Sequence, residues 1–175
     1  AVAEQKKTTM VRIETVAECK KLLQVAKSQR PEVVGDLVLM LFEGIRNEEM
    51  QRISPKDIDL EHGTVEISAA ASKTRRRRVI TLEPLTIKWL KAFPFESLVS
   101  ARSDRYRELR KAAGFKVWKK DVLRHTAASH LYALHGAVKT AMILGNSEQI
   151  LHQHYRNIVK PKESSAFWKL SPSVK

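Results

Sequence analysis

The sequence predicts an α+β fold, mainly α-helical, with one small antiparallel β-sheet or hairpin. Apolar residues recur at three- and four-residue spacing over several stretches bounded by Pro, Gly or capping residues, the pattern of half-buried helices. Only two short stretches, Thr64 to Ser68 and Val79 to Leu82, have the alternation or β-branched content of strands. The chain's 175 residues suffice for one domain with a real core.

The elements follow in order. Residues 1 to about 13 are polar and mixed and read as a linker or tail. Thr15, with Glu18 three residues on, forms a capping box that starts a helix. Val16, Cys19, Leu22, Leu23 and Ala26 supply its apolar stripe, and Ser28-Gln-Arg30 ends it. Pro31 suits the first turn of a second helix. Leu37, Val38, Leu41, Phe42 and Ile45 make that helix largely buried, with Arg46 near its end and a short helix around Glu48 to Arg52 after it. Ser54-Pro-Lys-Asp57 is a turn. The two strands follow, joined by a tip that reads Ser72-Lys73-Thr74-Arg75-Arg76-Arg77-Arg78. Four adjacent arginines repel one another unless an anion is present. Pro84 opens a helix with Ile87, Leu90 and Trp89 or Phe93 inward, and Pro94 helps to end it. Arg102 to Ala113 is a basic helix stopped by Gly114.

The informative stretch comes last. Asp121-Val-Leu-Arg124-His125-Thr126 begins a helix with an Arg in its first turn, Gly145 marks a break, and a second helix ends in Tyr155. An Arg and a helix N-terminus attract phosphate. A phenol brought beside them would be a nucleophile.

Composition narrows the partner. Lys and Arg number 32 against 19 acids, a net charge of +13, which favours a polyanion and nucleic acid before membrane. The single Cys19 excludes an internal disulfide and fits a reducing compartment. The longest clear apolar run, Leu37 to Phe42, is far too short to span a bilayer. No signal peptide opens the chain, which starts at Ala1 as a processed chain or an excised piece would. His152 and His154 lie two apart and His125 and His130 five apart, so neither pair sets two metal ligands on one helix face. No Gly-rich phosphate loop is present, and no metal or other cofactor is expected.

Leu123-Arg124-His125-Thr126, Leu144-Gly145-Asn146-Ser147 and the later Tyr155 resemble the catalytic domain of the tyrosine recombinases, the phage integrase family. Gly44-Ile45-Arg46-Asn-Glu-Glu49 resembles the family's first arginine segment, and Lys73 in Ser-Lys-Thr matches its hairpin lysine; the neighbouring arginines leave that register open by one or two residues. The resemblance covers about residues 10 to 165. It implies the recombinase catalytic-domain fold over 14–160, and a 161–175 tail whose Phe167, Trp168 and Leu170 resemble the segment that family members dock onto a neighbouring protomer. Packing of that tail on its own domain is the other reading. Family members carry a helical DNA-clamping domain before this one, so the chain is expected to be the catalytic fragment.

The implied activity is DNA cleavage and rejoining through a 3′-phosphotyrosyl link, without metal or ATP. Tyr155 is the implied nucleophile, Arg46 and Arg124 bind the phosphate, Lys73 protonates the leaving 5′-oxygen, Glu49 orients Arg46, and His125 supports the helix. Arg75, Arg76, Arg77 and Arg78 are expected to contact double-stranded DNA. Self-association on DNA and a bacterial or phage-host cytoplasm or nucleoid go with the family.

Two positions depart from it. Asp121 stands where the family has His or Lys, and Asn146 where it has His or Trp; both residue types are good helix N-caps. Each site residue also has a structural reading: Arg46 on a helix C-terminus, Arg124 paired with Asp121, Tyr155 in the core. A degenerate recombinase that only binds DNA is therefore the alternative function, and a basic RNA-binding or ribosomal-type protein the second.

Overall fold

A computed structural model describes residues 11–97 and 102–173. The expected linker falls outside them up to residue 10. Helix α1, Val16–Gln29, starts as its sequence dictates: the Glu18 N–H donates to Thr15 Oγ1 at 3.1 Å and the Thr15 N–H to Glu18 Oε2 at 2.7 Å. It buries Cys19, Leu22, Leu23 and Ala26. A 3-10 turn, Pro31–Val33, leads into α2, Val34–Glu43, which is buried along its whole length and is the central strut of the core.

Helix α2 ends at Gly44, not near Arg46. Gly44 has φ 65°, and a Cβ there would lie 2.5 Å from Leu144 Cδ2. Only glycine permits both this left-handed cap and the close approach of the two helix ends. Arg46 is thereby moved past the helix, to the N-cap position of α3, Asn47–Met50, away from the C-terminal dipole that its sequence position suggested.

The sheet has three strands in the order β1-β2-β3, all antiparallel: β1 Ile58–Asp59, β2 Thr64–Ile67 and β3 Arg78–Thr81. Two residues are too few to show alternation, so β1 left no sequence signal. Strand β3 begins one residue earlier than its apolar run. Val65 faces Ile80 across the sheet, and both are buried. The two-residue period then puts Arg78 on the face of Ile80, towards the core.

Helix α4, Pro84–Ala92, buries Leu85, Thr86, Trp89 and Leu90. Of the two aromatic candidates Trp89 is the buried one; Phe93 is half-buried. Helix α5 spans Arg102–Ala112. Helix α6, Val122–Leu144, packs along α2 and is broken at Gly136, where φ is 78° and ψ 179°. Gly145, φ 67°, caps it, and α7, Glu148–Tyr155, folds back against it. Helix α8, Pro161–Phe167, closes the core on its own domain: Phe167 is fully buried, edge-on to Phe42 and stacked on His130 at 3.8 Å. Trp89 Nε1 donates to the Leu170 carbonyl at 2.7 Å. No helix among the described residues is long and apolar enough to cross a membrane.

Candidate active site

The segment after α2, both ends of α6 and one side of α7 converge on a cavity of about 250 Å³. Arg46, Lys73, Asp121, Arg124, His125, Asn146 and Tyr155 all line it, so residues spread over more than half the sequence meet at one place. Glu48, His154 and Ile150 complete much of the wall.

Behind the Arg46 wall lies a buried carboxylate. Glu49 is fully buried and receives both ends of the Arg78 guanidinium, Nη1 to Oε1 at 2.9 Å and Nη2 to Oε2 at 2.7 Å. Arg46 donates from Nη1 to Oε1 at 3.3 Å and from its backbone N–H to Oε2 at 3.2 Å, and the Lys73 N–H adds a fifth bond at 3.3 Å. Burial alone would raise the Glu49 pKa. The Arg78 bonds and charge, with the Arg46 and Lys73 N–H groups, outweigh it and hold the carboxyl at about 2. Glu49 is ionised and pairs with Arg46 and Arg78.

Arg124 rises from the first turn of α6. Its Nη1 donates to the Gly44 carbonyl at 2.5 Å, and its Nη2 donates to the Leu144 carbonyl at 2.9 Å and to Asn146 Oδ1 at 3.2 Å. It makes no bond to Asp121; backbone carbonyls exposed by the two glycine-capped helix ends hold it instead. Burial, then the Arg46 and Arg78 charges, push its pKa down to about 10, still protonated at neutral pH. Arg46 reaches the same Asn146 oxygen from Nη2 at 3.1 Å. Two guanidinium groups, Arg46 and Arg78, thus pair with one buried carboxylate, while Arg124 opens on the same cavity with no carboxylate bonded to it.

Tyr155 ends α7 and is 5% exposed, with its hydroxyl 2.6 Å from His125 Nδ1. Burial raises the phenol's pKa and Asp121 adds to this; Arg124 and Arg46 pull it down. Lys73 stands at the rim, half-exposed, with Nζ 3.5 Å from Glu48 Oε1.

Neither departing residue is a helix cap. Asp121 occupies the position before α6 but has φ 57°, a left-handed conformation from which its side chain makes no capping bond; an N-cap needs extended backbone. Asn146 leaves capping of α7 to Ser147, which accepts from the Ile150 N–H at 3.3 Å. Asn146 is instead the shared acceptor of Arg46 and Arg124.

The four-arginine run divides. Arg75 and Arg76 are exposed at the tip, and Arg77 is exposed but paired with Glu66 at 2.6 Å. Arg78 lies behind the cavity wall, paired with Glu49, and also donates from Nε to the Ile143 carbonyl at 3.2 Å. Its place two residues before the buried Ile80 was the signal for this. His154 was not singled out from sequence either; its Nδ1 is buried without a partner among the described residues. No cluster of His, Cys, Asp or Glu there could hold a metal ion.

Solved structures share this architecture. XerA recombinase superposes with a TM-score of 0.69 at 19% identity, over 91% of this chain and 64% of that one. The fold is that of the tyrosine recombinase catalytic domain. The catalytic domain of bacteriophage HP1 integrase matches with a TM-score of 0.65 at 16% identity, over 93% of this chain and 90% of that domain. XerH recombinase, in a post-cleavage complex with its palindromic difH substrate, matches with a TM-score of 0.66 at 19% identity, over 95% of this chain and 56% of that one. The sequence itself matches no family model and no curated protein. The chain therefore spans nearly all of an isolated recombinase catalytic domain and 56–64% of the two longer recombinases.

Proposed function

We propose that the chain is the catalytic domain of a tyrosine-type site-specific recombinase. The observation that carries this is the single cavity on which Tyr155, Arg46, Arg124 and Lys73 all open. A phosphodiester entering it meets the uncompensated charge of the arginines, each able to give two parallel bonds to phosphate oxygens. Tyr155 Oη attacks the phosphorus, the bond to the 5′-oxygen breaks, and Lys73 supplies that oxygen's proton. The 3′-phosphotyrosyl link replaces one phosphodiester by another, so a second 5′-hydroxyl reverses the step without ATP. Preorganised cations act where charge grows on the non-bridging oxygens, the largest contribution in chemistry of this kind. Self-association on DNA and a place in the cytoplasm or nucleoid belong to the same reading.

A catalytically degenerate DNA-binding protein is the second reading, and two placements favour it. Asp121 puts a carboxylate on the wall that must accept a phosphate, and Asn146 Oδ1 occupies donors of both arginines. The experiment that separates the two is incubation with a pool of nicked duplexes of varied sequence, read as a covalent protein–DNA band on a denaturing gel. A band lost in Tyr155→Phe supports the enzyme. Tight binding of duplex without any band supports the degenerate reading.

A further inference from the structure

We infer that His125 is the base that takes the phenol proton as Tyr155 attacks, and so is a catalytic residue in its own right. The inference deepens the recombinase reading and rests on it for the identity of the electrophile.

Geometry comes first. The packing of α7 against α6 puts Tyr155 Oη 2.6 Å from His125 Nδ1, with the two rings 5.9 Å apart and tilted by 35°. This is hydrogen-bond reach for direct proton transfer. A residue that only braced the helix would have no need to offer a ring nitrogen to the one hydroxyl that faces two arginines. Asp121, at the position where the resemblance expects a proton-handling side chain, makes no bond to Tyr155.

The protonation state agrees. The groups that act on the ring are Asp121 and Arg124 from its own helix and His154 from α7. Burial lowers the imidazole pKa, Arg124 and His154 lower it further, and Asp121 alone raises it. His125 is therefore neutral at physiological pH. With Nε2 carrying its hydrogen, the Nδ1 lone pair accepts from the phenol. As Oη bonds to phosphorus the O–H bond breaks and its proton passes to Nδ1. The bond to the 5′-oxygen breaks with Lys73 donating there. On rejoining, the incoming 5′-hydroxyl returns a proton to Lys73, and His125 returns its own to the departing phenolate. Atoms and charge balance in both directions. Asp121 then gains a role: one helical turn before His125, its carboxylate stabilises the imidazolium formed in the step.

The molecule contains its own control. Tyr132 and His152 form a second pair, hydroxyl to Nδ1 at 2.8 Å, on the surface and away from the arginines. A histidine beside a tyrosine is common to both; the buried arginines are not.

The test uses benzenesulfonyl fluoride, which sulfonylates a phenol when its proton is removed and needs no DNA. Rates at Tyr155 and Tyr132 are read by peptide mass spectrometry across pH. Tyr155 should react faster than Tyr132, and its rate should fall as acid protonates His125, below the usual imidazole range. His125→Gln should slow Tyr155 at least tenfold, remove that pH limb and leave Tyr132 unchanged. Nitrogen-15 NMR of the native chain should show His125 unprotonated at Nδ1, a readout that does not depend on how the variant folds. An Nδ1–H tautomer, a Tyr155 no faster than Tyr132, or an undiminished rate in His125→Gln would each overturn the inference. On nicked duplex, His125→Gln should also slow adduct formation, by roughly 10²-fold or more, the contribution of a positioned base. Loss of labelling in the variant with no adduct from the native chain would support His125 as the base and count against DNA as the electrophile.

Discussion

Two clusters in this molecule use the same residue types to opposite ends. On one side of α2, Arg102 grips Asp36 with Nε at 3.1 Å and Nη2 at 2.8 Å, Tyr106 donates to the same carboxylate at 2.5 Å, and the guanidinium lies 5.0 Å over the Tyr106 ring. Asn47 accepts from the same arginine. One cation meets one anion, Arg102, Asp36 and Tyr106 are all buried, and the tyrosine is neutral: burial and then the Asp36 charge push its pKa well up. Beyond the C-terminal end of α2, Glu49 pairs with Arg46 and Arg78, and Arg124 stands beside them bonded to no carboxylate. There the tyrosine faces arginines that oppose the effect of burial. An arginine–tyrosine cluster is structural when its charges cancel and becomes a candidate site when they do not. The surplus costs stability in the free protein, since Arg124 is destabilised by its like-charged neighbours, and a bound phosphate would relieve it.

The sharpest way to break this contrast is to remove each hydroxyl. Tyr155→Phe should abolish the covalent DNA adduct and leave non-covalent binding nearly unchanged. Tyr106→Phe should do the reverse, keeping the adduct and lowering stability by about 1–3 kcal/mol, because a buried carboxylate loses a donor. Denaturing gels and urea titrations of both variants decide it. An adduct that survives Tyr155→Phe would remove Tyr155 as the nucleophile.

Removing the arginines comes next. Arg46→Ala or Arg124→Ala should cost roughly 10²–10³ in single-turnover cleavage, the loss seen when one preorganised donor is deleted. Arg124→Lys should recover little, because an ammonium cannot bridge two carbonyls and a phosphate as a planar fork does. Arg102→Ala should instead destabilise the fold by about 3–5 kcal/mol, since it strands Asp36, which is 1% exposed. Equal kinetic losses in all three would mean that charge surplus does not distinguish the clusters.

How far the site could be read from sequence follows the same division. Arg46, Glu49, Lys73, Arg124, Asn146 and Tyr155 stand in local patterns, and α1, α2 and α4 announce themselves through Thr15, Pro31 and Pro84 and their apolar spacing. What was hidden depends on contacts distant in sequence. Arg78 reads as one more DNA-contacting arginine of the run because its partner, Glu49, is 29 residues earlier. Asp121 and Asn146 looked like caps because residue type carries no φ; the positive φ of one and the two arginines on the other decide otherwise. The His125–Tyr155 bond joins two helices and has no one-dimensional signature.

A smaller effect is expected from restoring donors at the two departures. Asp121→His with Asn146→His should speed adduct formation by about tenfold, below the roughly 10²–10³ of one preorganised donor, because the Asn146 change supplies a donor while the Asp121 change removes the carboxylate beside His125. Asp121 makes no capping bond, and histidine tolerates the left-handed backbone better than most residues, so little stability is at stake. The second change frees the Arg46 and Arg124 donors now held by the Asn146 carbonyl. The two singles separate the effects: if Asp121 supports a His125 imidazolium, Asp121→His alone should be slower than the native chain and Asn146→His alone faster. A double variant slower than both would make the two residues adapted parts of this site.

The smallest effect lies within the arginine run, where the contrast between cancelled and surplus charge is repeated in four residues. Arg75 and Arg76 are exposed, and no ion pair engages them among the described residues, whereas Glu66 compensates Arg77 and Glu49 compensates Arg78. Of the four, only the first two would offer free charge to a DNA backbone. Each phosphate they neutralise should contribute about 0.9 to the slope of log affinity against log salt. Arg75→Ala with Arg76→Ala should therefore flatten the slope by somewhat under two units, with cleavage of bound DNA preserved. Arg77→Ala should change it less, since Glu66 would be freed and add a repulsive charge. Arg78→Ala should leave the slope almost untouched and lower both stability and cleavage, because Glu49 loses its bidentate partner and Arg46 its brace. Filter-binding titrations over a tenfold range of salt resolve these differences. A slope that falls with Arg78→Ala but not with Arg75→Ala and Arg76→Ala would place the hairpin tip away from DNA and assign the phosphate contact to the Arg78–Glu49 pair.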